Sequence, residues 1–208
     1  MTLQASQLAC ARGKRTLFDA VDFEVGPGEA LQVLGRNGSG KTSLLRVLAG
    51  LSEPLRGEVR WQAHSLSHWG SDFNRGLVYL GHHAAVKDEL TATENLRTHA
   101  ALAGSPCTHG EAEAALASLG LTSRAHLPVR VLSQGQRRRV ALARLALQPA
   151  RLAILDEPFN ALDQESVEVL RQLLDRQLAQ GAVVVYTTHQ GQTLSATRHH
   201  TLQLGEVH

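Results

Sequence analysis

Apolar and polar positions alternate through residues 3–25 around a break at Gly13-Lys14, the period-two pattern of two antiparallel strands joined by a turn. Gly26-Pro27-Gly28 reads as a second turn, leading into the short apolar run Ala30-Leu31-Gln32-Val33-Leu34 expected of a buried strand. The period then changes. Leu44, Leu45 and Leu48 fall on one helical face, and Gly50 supplies a stop. A turn and strand follow over Leu55–Trp61, and Leu77-Val78-Tyr79-Leu80-Gly81 predicts a strand ending at His82-His83. From about 92 to 130 the chain is Ala/Leu-rich and helical in pattern, with a Gly-Ser-Pro break at 104–106. Ser133 is placed to cap a helix running through Leu147. Leu152–Leu155 and 182–186 are buried strands, separated by an amphipathic helix over 164–180. Apolar strands alternating with helices predict an α/β core with a largely parallel sheet. The expected organisation is one domain, 1–208. Its core comes from 1–83, with an antiparallel hairpin region at the start, and from 131–208; a helical subdomain is inserted over 84–130.

One stretch gives this pattern a chemistry. Gly35-Arg36-Asn37-Gly38-Ser39-Gly40-Lys41-Thr42 matches the phosphate-binding pattern G-x-x-x-x-G-K-[ST] at every fixed position, between a predicted strand and a predicted helix. Glycines let backbone N–H groups approach phosphate oxygens, and the helix that follows turns its positive end toward the same anion. Lys41 offers a point charge to the β- and γ-phosphates, and the Thr42 hydroxyl offers a ligand to Mg2+. The chain is expected to be a P-loop NTPase.

Asp156-Glu157-Pro158 follows the apolar strand at Leu155. Paired carboxylates there suit two tasks: Asp156 in the Mg2+ shell and Glu157 accepting a proton from attacking water. The strand over 182–186 runs into Thr187-Thr188-His189, which puts an imidazole at the sheet edge where ligands of α/β proteins collect. Arg137-Arg138-Arg139 is expected to be a solvated basic helix face.

Taken in order, these motifs resemble the ATP-binding subunit of an ABC transporter over essentially the whole chain. Gly35–Thr42 resembles Walker A, and Leu152–Glu157 resembles Walker B with its catalytic glutamate. Leu132-Ser133-Gln134-Gly135-Gln136 resembles the signature L-S-G-G-Q, Asn160-Ala161-Leu162-Asp163 the D-loop, and His189 the switch histidine. The resemblance implies the ABC-type P-loop fold and a head-to-tail homodimer with ATP sandwiched at the interface. Ser133, Gly135 and Gln136 of one copy, with Asp163, would meet the nucleotide held by the other. It further implies integral membrane channel subunits as partners, without nucleic acid and without a membrane span in this chain.

The chain departs from the family pattern at three places. Gln134 stands where most members have glycine. His82 stands where a loop glutamine usually touches Mg2+ and the membrane partner, and is expected to keep a coupling role with an altered metal contact. Arg12 stands where an aromatic usually stacks on adenine, and a guanidinium can stack there too. More narrowly, Tyr79-Leu80-Gly81-His82-His83, Leu90-Thr91-Ala92, Glu94-Asn95-Leu96 and Asp156-Glu157-Pro158-Phe159 are similar to the haem-exporter ATPase of bacterial cytochrome c maturation. That likeness implies energised haem export or delivery, or release of a haem-loaded chaperone, at the cytoplasmic face of the inner membrane. ATPases for another exported substrate (drug, lipid or lipoprotein) and soluble ABC ATPases remain open on these residues.

Composition adds bounds. At 208 residues, 43% hydrophobic and 19% charged, the chain suits one globular core. A net charge of +2 is too mild to argue for nucleic acid. Cys10 and Cys107 fit no metal spacing. The histidines at 64, 68, 82, 83, 199 and 200 are read as scattered surface residues rather than haem ligands, since surface loops offer no apolar pocket.

Overall fold

The computed structural model describes residues 1–13, 15–65, 71–147, 149–188 and 193–205. The alternating segments pair as antiparallel strands β1 (Leu3–Arg12) and β2 (Arg15–Val25). β1 also pairs with a later strand, Arg56–Trp61, which pairs in turn with His64–Ser65, making a four-stranded antiparallel sheet. The apolar runs build a second sheet of five strands, all parallel. Its strands are β3 (Glu29–Gly35), β6 (Leu77–Leu80), β7 (Leu152–Leu155), β8 (Val183–Thr187) and β9 (Arg198–Leu204), and the two later strands of the first sheet are β4 (Arg56–Trp61) and β5 (His64–Ser65). The parallel sheet has the order β6-β7-β8-β3-β9.

The central strands β7 and β8 are buried on both faces, which is why they are apolar without alternation. Leu31, Val33, Leu152, Ile154, Val183 and Val185 face one apolar cluster, shared with β1, β2, β4 and helix α1 (Lys41–Leu48). Ala30, Ala153, Leu155, Val184 and Tyr186 face the other. That second cluster is closed by α3 (Ala92–Leu102), α4 (His109–Ser118), α5 (Gln134–Leu142), α6 (Arg144–Leu147) and α7 (Gln164–Ala179). A six-residue helix, α2 (Ser71–Gly76), leads into β6.

Parallel register decides where the chemistry sits. Leu80 pairs with Leu155, Leu155 with Tyr186, and Val33 with Thr187. The segments after β3, β6, β7 and β8 therefore leave the sheet at one carboxyl edge, where parallel sheets bind ligands.

Two features differ from expectation. The helix expected over 133–147 is broken at Ala143, where Ala146 N–H donates to the Ala143 carbonyl at 3.0 Å in a tightened i→i−3 turn. The strand β9 was not expected at all. It is a half-polar edge strand whose His200 ring bonds the Glu29 carboxylate at 2.7 Å, so this histidine is not a loose surface residue. Glu29 is itself held below the usual carboxylate range, chiefly by the Gly26 N–H and then by His200.

Candidate functional site

The loop from 35 to 40 is shaped for an anion. Gly38 and Gly40 take φ of +81° and +98°, and Gly40 opens α1 without any side-chain cap. The other long helices are capped by their own side chains: Thr91 for α3, Thr108 for α4, Ser133 for α5 and Asp163 for α7. The first N–H groups of α1 thus remain available to a ligand. Lys41 is buried, and its ammonium donates to the carbonyls of Gly35 at 2.7 Å and Arg36 at 3.2 Å. Arg12, Asn37, Gly38, Gly40, Lys41 and Thr42 line an open cleft of about 490 Å3, bordered on its far side by His82 and Glu157.

Ser39, within the loop, is buried, with its hydroxyl oxygen lacking a hydrogen-bond partner. It also explains why residue 35 is glycine. A Cβ on Gly35 would stand 2.5 Å from the Ser39 Oγ and 2.8 Å from the Leu204 carbonyl, at a φ of +152°. Gly35→Ala is therefore expected to lower stability by about 1–3 kcal/mol and to weaken nucleotide binding. Urea unfolding together with a fluorescent-nucleotide titration would check both.

Asp156 follows β7, with a hydroxyl bonded to each carboxylate oxygen. Its two carboxylate oxygens accept from the Thr42 hydroxyl at 2.7 Å and the Thr187 hydroxyl at 2.8 Å, and the residue is 2% exposed. Glu157 follows in the left-handed region at φ +49°. A non-glycine residue there costs on the order of 1 kcal/mol and persists only when its surroundings enforce it. Here the Glu157 N–H donates to Thr187 Oγ1 at 2.7 Å, and the Asn160 amide donates to the carboxylate. The His82 ring lies 3.8 Å from the same carboxylate. Thr187 thus ties the two acidic residues together. Its signal in the sequence was a hydroxyl ending an apolar strand, though it carried no role there.

The arginine block corrects an expectation. Arg138 is 7% exposed, not solvated. One arm of its guanidinium donates to the carbonyls of Gly81 at 2.7 Å and His82 at 3.2 Å; the other donates to those of Asp156 at 2.6 Å and Glu157 at 3.1 Å. Burial pulls its pKa down, opposed by the nearby charges of Asp156 and Glu157. Arg137 donates to the Leu132 and Arg130 carbonyls and to Asp88, and Arg139 to the Leu119 carbonyl. The reason is helical spacing: Arg138 shares a face with Ala141, Leu142 and Leu145, all buried.

Ser133 is the N-cap of α5, in a capping box with Gln136: each side chain accepts from the other's backbone N–H. Gly135 has a reason inside this chain, because a Cβ there would lie 2.8 Å from the Ala161 carbonyl. Asp163 accepts from Ser166 N–H, and the Ser166 hydroxyl, then that N–H, holds its carboxyl below the usual range. Ser133, Gly135, Gln136 and Asp163 do not line the phosphate-loop cleft. Gln134 lines a neighbouring cleft of about 370 Å3 with His82, Arg138, Glu157 and Ala161. His189 lies outside the described residues, as does His68.

A P-loop between strand and helix, paired acidic residues at the carboxyl end of a second parallel strand and a capped helix packed behind them define an ATP-binding cassette. The chain belongs to the ABC transporter family, whose model matches residues 18–160. Among solved structures it resembles a dimeric bacterial ABC transporter cassette, with a TM-score of 0.85 and 24% identity over 99% of this chain and 96% of that one. Its curated relatives include the cytochrome c biogenesis ATP-binding export protein CcmA of Nitrosomonas europaea, 50% identical over 97% of this chain and 95% of the relative. The protein of the same name from Pseudomonas aeruginosa is 47% identical over 98% and 99%.

Proposed function

We propose that this chain is the ATP-hydrolysing subunit of a transporter serving cytochrome c biogenesis, driving haem export or delivery, or release of a haem-loaded chaperone. The observation that carries this reading is identity of about half the residues with export proteins of that name over nearly the whole chain, with the nucleotide site intact.

Gly35, Arg36, Asn37, Gly38, Ser39 and Gly40 would wrap the phosphates with backbone N–H groups, and Lys41 would leave its two carbonyls for the β- and γ-phosphates. The Thr42 hydroxyl and the Asp156 carboxylate, 2.7 Å apart, are hard oxygen donors of the kind Mg2+ prefers, and would hold that ion. When bound, Mg2+ neutralises charge on the phosphate oxygens. Glu157, anchored by Thr187 and Asn160, would accept the proton of the attacking water. His82, facing Glu157, would keep the coupling role with an altered metal contact, and His189 would act as the second catalytic group. Arg12, at the rim of the same cleft, would stack on adenine.

In a head-to-tail homodimer, Ser133, Gly135, Gln136 and Asp163 of each copy would meet the nucleotide bound by the other. Two facts support this: these residues stand away from their own cleft, and a cassette of the same fold is dimeric. Integral membrane subunits would supply the path for cargo, with this chain peripheral on the cytoplasmic face of the inner membrane. Among the described residues no helix is long and apolar enough to cross a membrane. We also read 1–208 as one cassette with 84–130 as its helical part, since both apolar clusters share the parallel sheet.

Deleting the gene in its host tests the transport reading. Covalently haem-loaded c-type cytochromes should disappear while b-type haem proteins persist. The wild-type chain should restore them and Lys41→Ala should not. Unchanged c-type cytochromes would assign the ATPase to another cargo.

A further inference from the structure

Far from the nucleotide cleft, the helical segment carries a second cluster of metal-binding side chains. His109 is the first residue of α4, and Glu113 follows one turn later on the same face. His126 reaches the same carboxylate from the loop that follows α4. The Nε2 atoms of both rings approach one oxygen of Glu113, at 3.3 Å from His109 and 3.0 Å from His126. The two rings stack nearly parallel, with centroids 5.8 Å apart and planes inclined by 18°. Among the described residues these three form the sole group of at least three His, Cys, Asp or Glu whose ligand atoms converge within 4.8 Å.

We propose that His109, Glu113 and His126 form a binding site for a divalent transition metal of the zinc class. The spacing is that of a coordination shell. Zinc bonds of about 2.0–2.2 Å at tetrahedral to octahedral angles put neighbouring ligand atoms roughly 2.9–3.4 Å apart. Both measured separations fall in that range. Two imidazole nitrogens and one carboxylate oxygen suit Zn2+, Co2+, Ni2+ or Cu2+ better than Mg2+ or Ca2+, which want oxygen alone. All three side chains are at least 37% exposed, so an ion can enter from solvent, and water completes its shell.

The scaffold holds the ligands in place before any ion arrives. Thr108 and Glu111 form a capping box that fixes the first turn of α4, where His109 sits. His126 lies between two anchored residues: the Ala125 carbonyl accepts from the Thr93 N–H and hydroxyl, and the Leu127 carbonyl accepts from the Ala92 N–H. Each of those bonds ties the loop to the start of α3. A bound ion would therefore join α4 to the loop that leads through Pro128 toward Ser133 and α5. It would replace two exposed contacts to the Glu113 carboxylate with coordinate bonds.

Co2+ is the probe, since its visible d–d absorption reports coordination directly and Zn2+ should displace it. The tag-free, chelator-treated protein should bind one Co2+ per chain and lose the spectrum when Zn2+ is added. Partners outside a ligand shell are worth roughly 10- to 100-fold in metal affinity, so loss of a ligand should cost at least that. His126→Ala and Glu113→Gln should each weaken binding at least that much, whereas His64→Ala should leave it unchanged. Zn2+ should also raise the melting temperature of the wild type and not of His126→Ala, and ATPase with Mg2+ but no added transition metal should be the same in all these proteins. Absence of a Co2+ spectrum in the wild type would overturn the proposal. So would equal affinity in the wild type and Glu113→Gln.

Discussion

Glu157→Gln is expected to slow ATP hydrolysis by roughly 10²–10⁴-fold while leaving ATP binding in place, the range that a positioned general base supplies. The substitution keeps shape and removes only the ability to take a proton. The Asn160 contact can be kept by an amide oxygen, and the Thr187 contact is to the backbone, so the left-handed conformation at 157 stays supported. Nucleotide binding depends on Lys41, Thr42 and the loop N–H groups, and Lys41 and Thr42 are positioned by Gly35, Arg36 and Asp156. Single-turnover hydrolysis and equilibrium ATP binding on the same preparation separate the two effects. Hydrolysis near the wild-type rate would remove Glu157 from the proton transfer and leave the water to another group.

The second large effect is expected at a residue that touches no nucleotide. Arg138→Met should lower folding stability by about 1–3 kcal/mol, because it strands buried carbonyls that now share one guanidinium. The functional loss should be larger. Arg138 spans the end of β6 and the end of β7, so it fixes Gly81 and His82 relative to Asp156 and Glu157. Displacing catalytic groups by about 1 Å can cost on the order of 10²-fold in rate. Its kcat should fall by that order with little change in KM for ATP, since the phosphate loop is untouched. Lysine should not rescue, because a point charge cannot bond both loops at once as the planar fork does. Steady-state ATPase under conditions where circular dichroism shows the variants folded would check this. A fall in stability with an unchanged kcat would make Arg138 a packing residue only.

Much of this was legible along the chain because it is local. Phosphate binding needs consecutive N–H groups on a short glycine loop, so Gly35 to Thr42 carries the whole motif within eight positions. Strands buried on both faces need apolar runs, and these marked β3, β6, β7 and β8. Capping is equally local, and Ser133 capped its helix as its side chain predicts. β9 escaped because an edge strand needs apolar side chains only where it meets the core, and Arg198 to Leu204 buries little.

What the tertiary structure decided are the contacts between distant segments. Thr187 serves Asp156 across neighbouring strands through a register that only sheet pairing creates. Arg138 looked like one of three solvated charges, yet the fold turns it inward onto carbonyls from two loops. His126 meets Glu113 because the chain folds back after α4, a distance along the sequence that no helical period spans. Residue types and their near neighbours were thus determined by the sequence itself, through backbone geometry and burial. Which charge faces which carbonyl, and which imidazole shares a carboxylate, was set by packing, because those partners come together only when the two apolar clusters close on the sheet.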